Sequence, residues 1–493
     1  MATVNEIINI GFNNHQSGKL DDAEFAYLEA LKLDCENAEA CNLMGVLKLQ
    51  QNDIYSAIDW VEKAVNRKPC EYFYETLFQA YIRAGSYEKI IECEKSVLKN
   101  YPKCFALIFN LALAYKNLNN TKRAIELYDK ALKINPTSYQ AWFNLAHLYK
   151  IEGQGKNAVS AMKICKKLKP KDKETEYFLA ISLMRTRDYE KGLKFFESRF
   201  CKETASSLIA KTYPNLATEK TLWRGESLKD KTIYVYYEAG FGDVIMFSRY
   251  LPLLKKKCKK LIFYPQKPLV PLFLESGLGI DELIEGFIPE QNMQFDVHTP
   301  LLSIPYYLGL KGEQIFESPE GYLSANTKLI EEYKEKFFNN DNLKIGIKWQ
   351  GNTSYDKDRV IPVEKFTTLF DIENTTFYSF QTFEGSEDIS KITSNYDIID
   401  IGKELIDFGQ TAAAMSNLDL VICNDTSLAH LAGALGIPCF VLLPYETDWR
   451  WHDSTKKCDW YNSIKLFRQK TIGSWDSVFE TVKKELTDLI QKG

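Results

Sequence analysis

Between about residue 5 and residue 200 the chain repeats with a period of 34 residues, and that period limits its fold more than any other feature. Pro69, Pro102, Pro136 and Pro170 stand 33, 34 and 34 residues apart. Twelve positions before each proline, or its equivalent, lies Ala23, Ala57, Ile90, Ala124, Ala158 or Gly192, with Ile90 the one bulky member. A second ladder of Ala30, Ala64, Val97, Ala131 and Cys165 lies five positions before the proline. Between the two run Tyr27, Val61, Tyr128, Met162 and Phe196, a row that Glu94 breaks. Small residues let paired helices approach, large ones fill the neighbouring groove, and proline ends the second helix. Six helical hairpins are expected, the last without its proline.

This pattern resembles the tetratricopeptide repeat, whose stacked hairpins form a superhelix with a concave face. Such a face either receives an extended peptide or serves as a packing or dimerisation scaffold. The exposed candidates on the first helices are Asn42, Asn110, Asn144 and Lys116. Asn110 and Asn144, one period apart, would form an acceptor-protein groove, because side-chain amides hydrogen-bond a peptide backbone without reading its sequence. The alternative is that they are merely solvated.

The period fails at Cys201, and 201–220 reads as a linker. Beyond it, apolar strands alternate with amphipathic helices, which implies parallel sheets with crossover connections. One series occupies 221–325, with strands at 231–237 and 261–264. A second occupies 326–493, with strands at 343–349, 376–380, 397–400, 418–423 and 438–443 and a final helix near 474–492. The fold class is therefore α + α/β: a repeat domain over 1–200, then two Rossmann-like lobes with a cleft between them. The 493 residues suit about three such units.

Lys and Arg number 62 against 66 Asp and Glu, so no overall charge drives the chain toward nucleic acid or an anionic membrane. No apolar run reaches the roughly 18 residues of a membrane span, and the N-terminus lacks the pattern of a signal peptide. The eleven cysteines include no Cys-x-x-Cys pair, so buried reduced thiols in a cytoplasmic protein are expected. No group of histidines and carboxylates has metal-ligand spacing, and a metal-independent mechanism is expected.

Three loops carry the chemistry. Gly240-Phe-Gly-Asp243 sits between a strand and a helix, where Gly240 and Gly242 let backbone amides approach an anion. The acidic ribose ligand of a dinucleotide fingerprint is absent, and Asp243 reads either as a helix cap or as a working carboxylate. Cys423-Asn-Asp-Thr-Ser427 ends an apolar strand and opens a helix, so free amides with the Thr426 and Ser427 hydroxyls suit a phosphate. His430, one turn in, is either a cleft residue or a satisfied core histidine. Lys348-Trp-Gln-Gly-Asn352, with Asp358-Arg359, supplies cations for a diphosphate.

The segment from Val421 through Asp425-Thr-Ser-Leu-Ala-His430 to Pro438 closely resembles the donor-site motif of family 9 glycosyltransferases, the heptosyltransferase-like enzymes. Glu238–Asp243, Phe295–Pro300, Ile345–Asn352, Asp448-Trp-Arg-Trp451 and Tyr461–Gln469 fit in order, so the likeness spans about 220–490. With the repeats, the chain resembles flagellin-modifying tetratricopeptide glycosyltransferases. The resemblance implies a GT-B fold, a nucleotide-sugar donor held mainly by the second lobe, and inversion at the anomeric carbon without a metal. It makes Asp243 the general base and places Asp425, Thr426, Ser427 and His430 at the donor, with Lys348, Trp349, Gly351, Arg359 and Gln381 as further contacts. His298 matches a recurrent histidine near the cleft.

Departures are Asn424 before the motif aspartate, Gln350 in place of a smaller residue, and Asp358-Arg359-Val360 where arginines are usually denser. The expected function is transfer of a sugar to a protein recruited by the repeats, flagellin-like in the leading case, in a chain that could also form homo-oligomers. The alternatives are a lipid-linked or polysaccharide acceptor, or a non-catalytic scaffold with a degenerate transferase fold.

Overall fold

The structure, a computed structural model, describes residues 2–200, 222–286, 294–354, 357–452 and 456–491. The linker expected at 201–220 lies outside the described residues. The chain folds into two compact units, Met1–Pro170 and Lys171–Gly493.

In the first unit, Val4–Gln16 pairs with Leu20–Leu33, Ala38–Gln50 with Ile54–Arg67, Phe105–Asn117 with Thr121–Ile134, and Tyr139–Ile151 with Gly155–Leu168. Ala23, Ala57, Ala124 and Ala158 are buried where the paired helices meet, and Tyr27, Val61 and Tyr128 fill the grooves. The third hairpin differs where its sequence does. Its second helix is split into Tyr87–Glu92 and Glu94–Asn100. Glu94 cannot fill an apolar groove, and instead binds Arg123 at 2.5 Å and accepts from the Tyr115 hydroxyl.

The sequence also holds a ladder that residue size does not reveal. Gly18, Asn52, Gly85, Asn119 and Gly153 have φ between 58° and 74°, one at each turn inside a hairpin. Left-handed backbone there satisfies the carbonyls at the end of the first helix, and glycine or asparagine tolerates it best.

The sixth hairpin, Lys173–Arg185 and Tyr189–Phe196, belongs to the second unit, so the units divide thirty residues before the end of the repeats read from the sequence. The reason is its packing. Ala180, Met184, Tyr189, Leu193 and Phe196 are in one core with Val235, Phe247, Trp449 and Trp460. Arg185 donates to the Thr447 carbonyl at 2.7 Å, and Arg199, just beyond the hairpin, forms a buried two-pronged pair with Glu238 at 2.8 and 2.7 Å.

The expected α + α/β architecture is present as two wholly parallel sheets. The first lobe contains β1 (Thr232–Tyr236), β2 (Lys260–Tyr264), β3 (Glu282–Leu283) and β4 (Val297–Pro300), in the order β3-β2-β1-β4. The second contains β5 (Leu343–Lys348), β6 (Thr375–Ser379), β7 (Ile398–Asp400), β8 (Leu420–Asn424), β9 (Cys439–Leu443) and β10 (Ile464–Arg468), in the order β10-β9-β8-β5-β6-β7. β3, β4 and β10 are too short or too mixed in polarity to stand out in the sequence. The final helix, Asp476–Ile490, buries Val478, Phe479, Val482 and Leu486 against β5, β8 and β9. All described cysteines are free thiols.

Candidate functional site

Each sheet reverses its strand order once, between β1 and β4 in the first lobe and between β5 and β8 in the second. A crevice opens at the carboxyl ends of such strands, because the connections on either side leave in opposite directions. The three loops singled out in the sequence leave β1, β5 and β8 at those ends.

The loops touch, and glycine makes that approach possible. A methyl group on Gly242 would stand 2.8 Å from His430 Cδ2 and 3.4 Å from the Ser427 α-carbon. One on Gly351 would stand 2.9 Å from Thr426 Cγ2. The helix Phe241–Phe247 of the first lobe therefore lies against the helix Ser427–Leu435 of the second. Thr426 precedes the latter without a side-chain cap bond, so the amides of its first turn keep their capacity for an anion.

Asp243 is the cap that its sequence context allowed, and it also forms an ion pair across the lobes. Oδ2 accepts the Gly240 amide at 3.0 Å and caps the turn, while Oδ1 forms an ion pair with Arg450 Nη2 across the lobes. Arg450 Nη1 also binds Asp448 Oδ1 at 2.6 Å, and Arg359 Nη1 binds Asp425 Oδ2 at 3.1 Å. Burial, which works against charge, is outweighed at Arg450 by Asp243 and Asp448, and the guanidinium is held above its ordinary range. At Asp448 burial raises the carboxyl, but Arg450 and Arg359 overcome it and hold the group low. Burial wins at Asp425, which is pushed up despite Arg359. Lys348, at the end of β5, is buried beside the Phe380 carbonyl, and desolvation lowers it to about 8.

Several residues expected at the donor bond to the protein itself. Gln381 accepts the Trp349 and Gln350 amides through Oε1 and donates to the Gln350 and Glu384 carbonyls through Nε2. Its amide is spent on holding the Lys348–Gly351 turn. Trp349 is wholly buried and donates to the Gly385 carbonyl at 3.1 Å, so its ring anchors that turn from below. His430 is buried, stacks on Trp451 with centroids 5.1 Å apart, and meets the Tyr461 hydroxyl at 3.2 Å. Burial, then the neighbouring Arg450 charge, lowers it to about 3 and keeps it neutral. It is the floor under Gly242.

His298 lies on β4, buried between Tyr236 and Phe295 within the first lobe. The groove asparagines also differ from expectation. Asn42 is 0% exposed and Asn144 only 5%, and Asn144 is turned toward the preceding hairpin rather than solvent. Asn144 takes Lys116 Nζ on its oxygen and donates to the Tyr128 hydroxyl. Asn110 and Lys116 are half-buried.

Two residues of the site have no role readable from sequence. Asp448 and Arg450 stand in the Asp448–Trp451 motif, but nothing local shows that Arg450 reaches Asp243. The Glu238 of the first motif is not at the cleft chemistry; it accepts from Arg199 and from the Leu302 amide.

Residues 350–458 match glycosyltransferase family 9 (heptosyltransferase), and 38–69, 106–138 and 127–157 match the tetratricopeptide repeat. Protein FlbA of Caulobacter vibrioides is 22% identical over 322 residues, covering 60% of this chain and 52% of that protein. The chain thus spans about half the length of the curated relative it matches. A family 9 glycosyl transferase structure from Veillonella parvula has TM-score 0.44 at 15% identity, covering 55% of this chain and 100% of the other. YrrB, a TPR protein whose structure is described as having an unusual peptide-binding site, has TM-score 0.32 at 16% identity, covering 34% of this chain and 88% of its own.

Proposed function

We propose that this chain, which carries tetratricopeptide repeats and a family 9 glycosyltransferase domain, transfers a sugar from a nucleotide-sugar donor to an acceptor hydroxyl, with inversion and without a metal. The observation that carries the reading is the meeting of two loops: Asp243 on the turn after β1, and the uncapped helix start after β8 against which Gly242 packs. A base and an anion site are thereby held side by side.

The chemistry follows from the charges. The acceptor oxygen bonds to the anomeric carbon from one face, and its proton passes to the Asp243 carboxylate. The bond from that carbon to the diphosphate breaks on the other face, and the electron pair leaves with the phosphate. The amides of Ser427 and Leu428, the Thr426 and Ser427 hydroxyls, and the cations Lys348 and Arg359 meet the departing charge. Arginine and lysine supply the positive field that a metal provides in other transferases. The acceptor is a protein held by the repeats, whose stacked hairpins offer a continuous surface for an extended segment. No helix among the described residues is long and apolar enough to cross a membrane.

The test is a panel of nucleotide sugars supplied to wild type and Asp243→Ala, with and without a chelator. Wild type should hydrolyse or transfer from at least one donor with the chelator present, and Asp243→Ala should lose about 10³-fold. No turnover from any donor would leave the scaffold reading in its place. Restoration only by added divalent cations would remove the metal-independent step.

A further inference from the structure

The cleft is crowded with negative charge. Asp243, Asp425 and Asp448 share it with the guanidiniums of Arg359 and Arg450, and each guanidinium is engaged by a carboxylate. A diphosphate would bring about two further negative charges to the helix start beside them. A guanidinium meets that charge by leaving its present carboxylate.

Arg450 is the cation placed to do so. Its Nη2 binds Asp243 on the first lobe and its Nη1 binds Asp448 on its own, yet Nε is buried with no hydrogen-bond partner. A planar guanidinium with an unused edge is under-satisfied, and a phosphate oxygen is the acceptor that its fork fits best. The neighbours agree: the Gly242 backbone beside Asp243 lies against Ser427 and His430 of the uncapped helix, and the charge of Arg450 is felt at His430. Asp243 therefore accepts its own turn on one oxygen and Arg450 on the other, so an acceptor hydroxyl must compete with a guanidinium at Oδ1.

We propose that Arg450 is a shared cation, held by Asp243 before a donor binds and handed to the diphosphate when it does, so that Asp243 is released as base only in the loaded enzyme. This rests on the glycosyltransferase reading and adds an order of events to it. Donor binding and activation of the base become one exchange of ion-pair partners, with no covalent bond made or broken. It would also limit wasteful attack by water, because the base is masked until the phosphate arrives.

A binding cycle tests the exchange without knowledge of the sugar or the acceptor. UDP, GDP, CDP, ADP and dTDP are titrated into the full chain by calorimetry, and the best binder is carried through Asp243→Asn, Arg450→Gln and the double variant. Asp243→Asn keeps the cap to Gly240 but drops the charge that holds Arg450, so the nucleotide should bind about threefold to tenfold tighter. Arg450→Gln should bind about tenfold weaker, and the double variant should equal Arg450→Gln, because Asp243 then has no cation to release. Arg450→Lys, intermediate in affinity, serves if Arg450→Gln melts below the assay temperature. Weaker binding by Asp243→Asn, or effects that simply add, would overturn the exchange and leave the transferase reading intact. Failure of wild type to bind any of the five would overturn the reading itself.

Discussion

The two compact units bury their polar groups in opposite ways. In Met1–Pro170 the buried side chains are mostly apolar and recur with the repeat, and ion pairs such as Glu94 with Arg123 sit at partly exposed positions. In Lys171–Gly493, charge goes deeper: Arg199 with Glu238 is buried, as is Arg249, whose guanidinium rests on Tyr461 and donates to the Trp460 carbonyl, while Arg450 with Asp243 is half-buried. A periodic unit distributes its stability over many equivalent interactions. The aperiodic one concentrates it in a few desolvated charges that fail badly when one partner is lost.

The contrast is broken most sharply by where the chain is cut. Removing residues 1–170 should leave a soluble protein with a cooperative thermal transition, whereas removing 1–200 should abolish it, since Tyr189, Phe196 and Arg199 leave the shared core. Circular dichroism melts of the two truncations decide it; equal melting would show the sixth hairpin to be dispensable. The shorter deletion should also keep donor hydrolysis while losing transfer to a protein acceptor, and undiminished transfer would end the recruitment reading.

Within the second unit, Glu238→Ala leaves the buried Arg199 guanidinium with Glu197 as its one carboxylate and should cost about 3 kcal/mol in denaturant unfolding. A smaller effect is expected at Lys348. With its proton lost near about 8, donor affinity should fall as pH rises through that value, and Lys348→Met should bind about tenfold more weakly at neutral pH with that alkaline limb gone. The same depressed value means that the folded chain binds fewer protons than the unfolded one between about 8 and the ordinary lysine range, so this group's contribution to stability rises with pH there. The least effect belongs to the repeats. A methyl on Gly85 meets nothing within 4 Å, so Gly85→Ala should cost only about 1 kcal/mol, the backbone penalty of φ near 70°. A loss several times larger would show the hairpins to be less interchangeable than their period implies.

Much of this was legible in the residues. The ladders of Ala and Tyr gave the hairpins, and even the break at Glu94 marked the interrupted helix. The Gly240–Asp243 and Asp425–Ser427 loops were placed at strand ends by the alternation of apolar runs and glycine. Local pattern did not show what Gln381, Trp349 and His430 bond within the protein, because a polar or aromatic residue beside a cleft can face either the ligand or the backbone that shapes it. The buried Asn42 and Asn144 show the same limit on a helix face, where periodicity names a side but not its depth.

Sequence by itself determined the 34-residue hairpins, the two parallel sheets and the loops that bear the charge, since these depend on side-chain period and backbone preference over a few residues. Only tertiary structure decided that the sixth hairpin completes the core of the second unit, that Gln381 serves the backbone, and that Arg450 grips Asp243. These depend on which desolvated charges come together when distant segments pack, and a buried charge takes whatever partner the fold brings within reach.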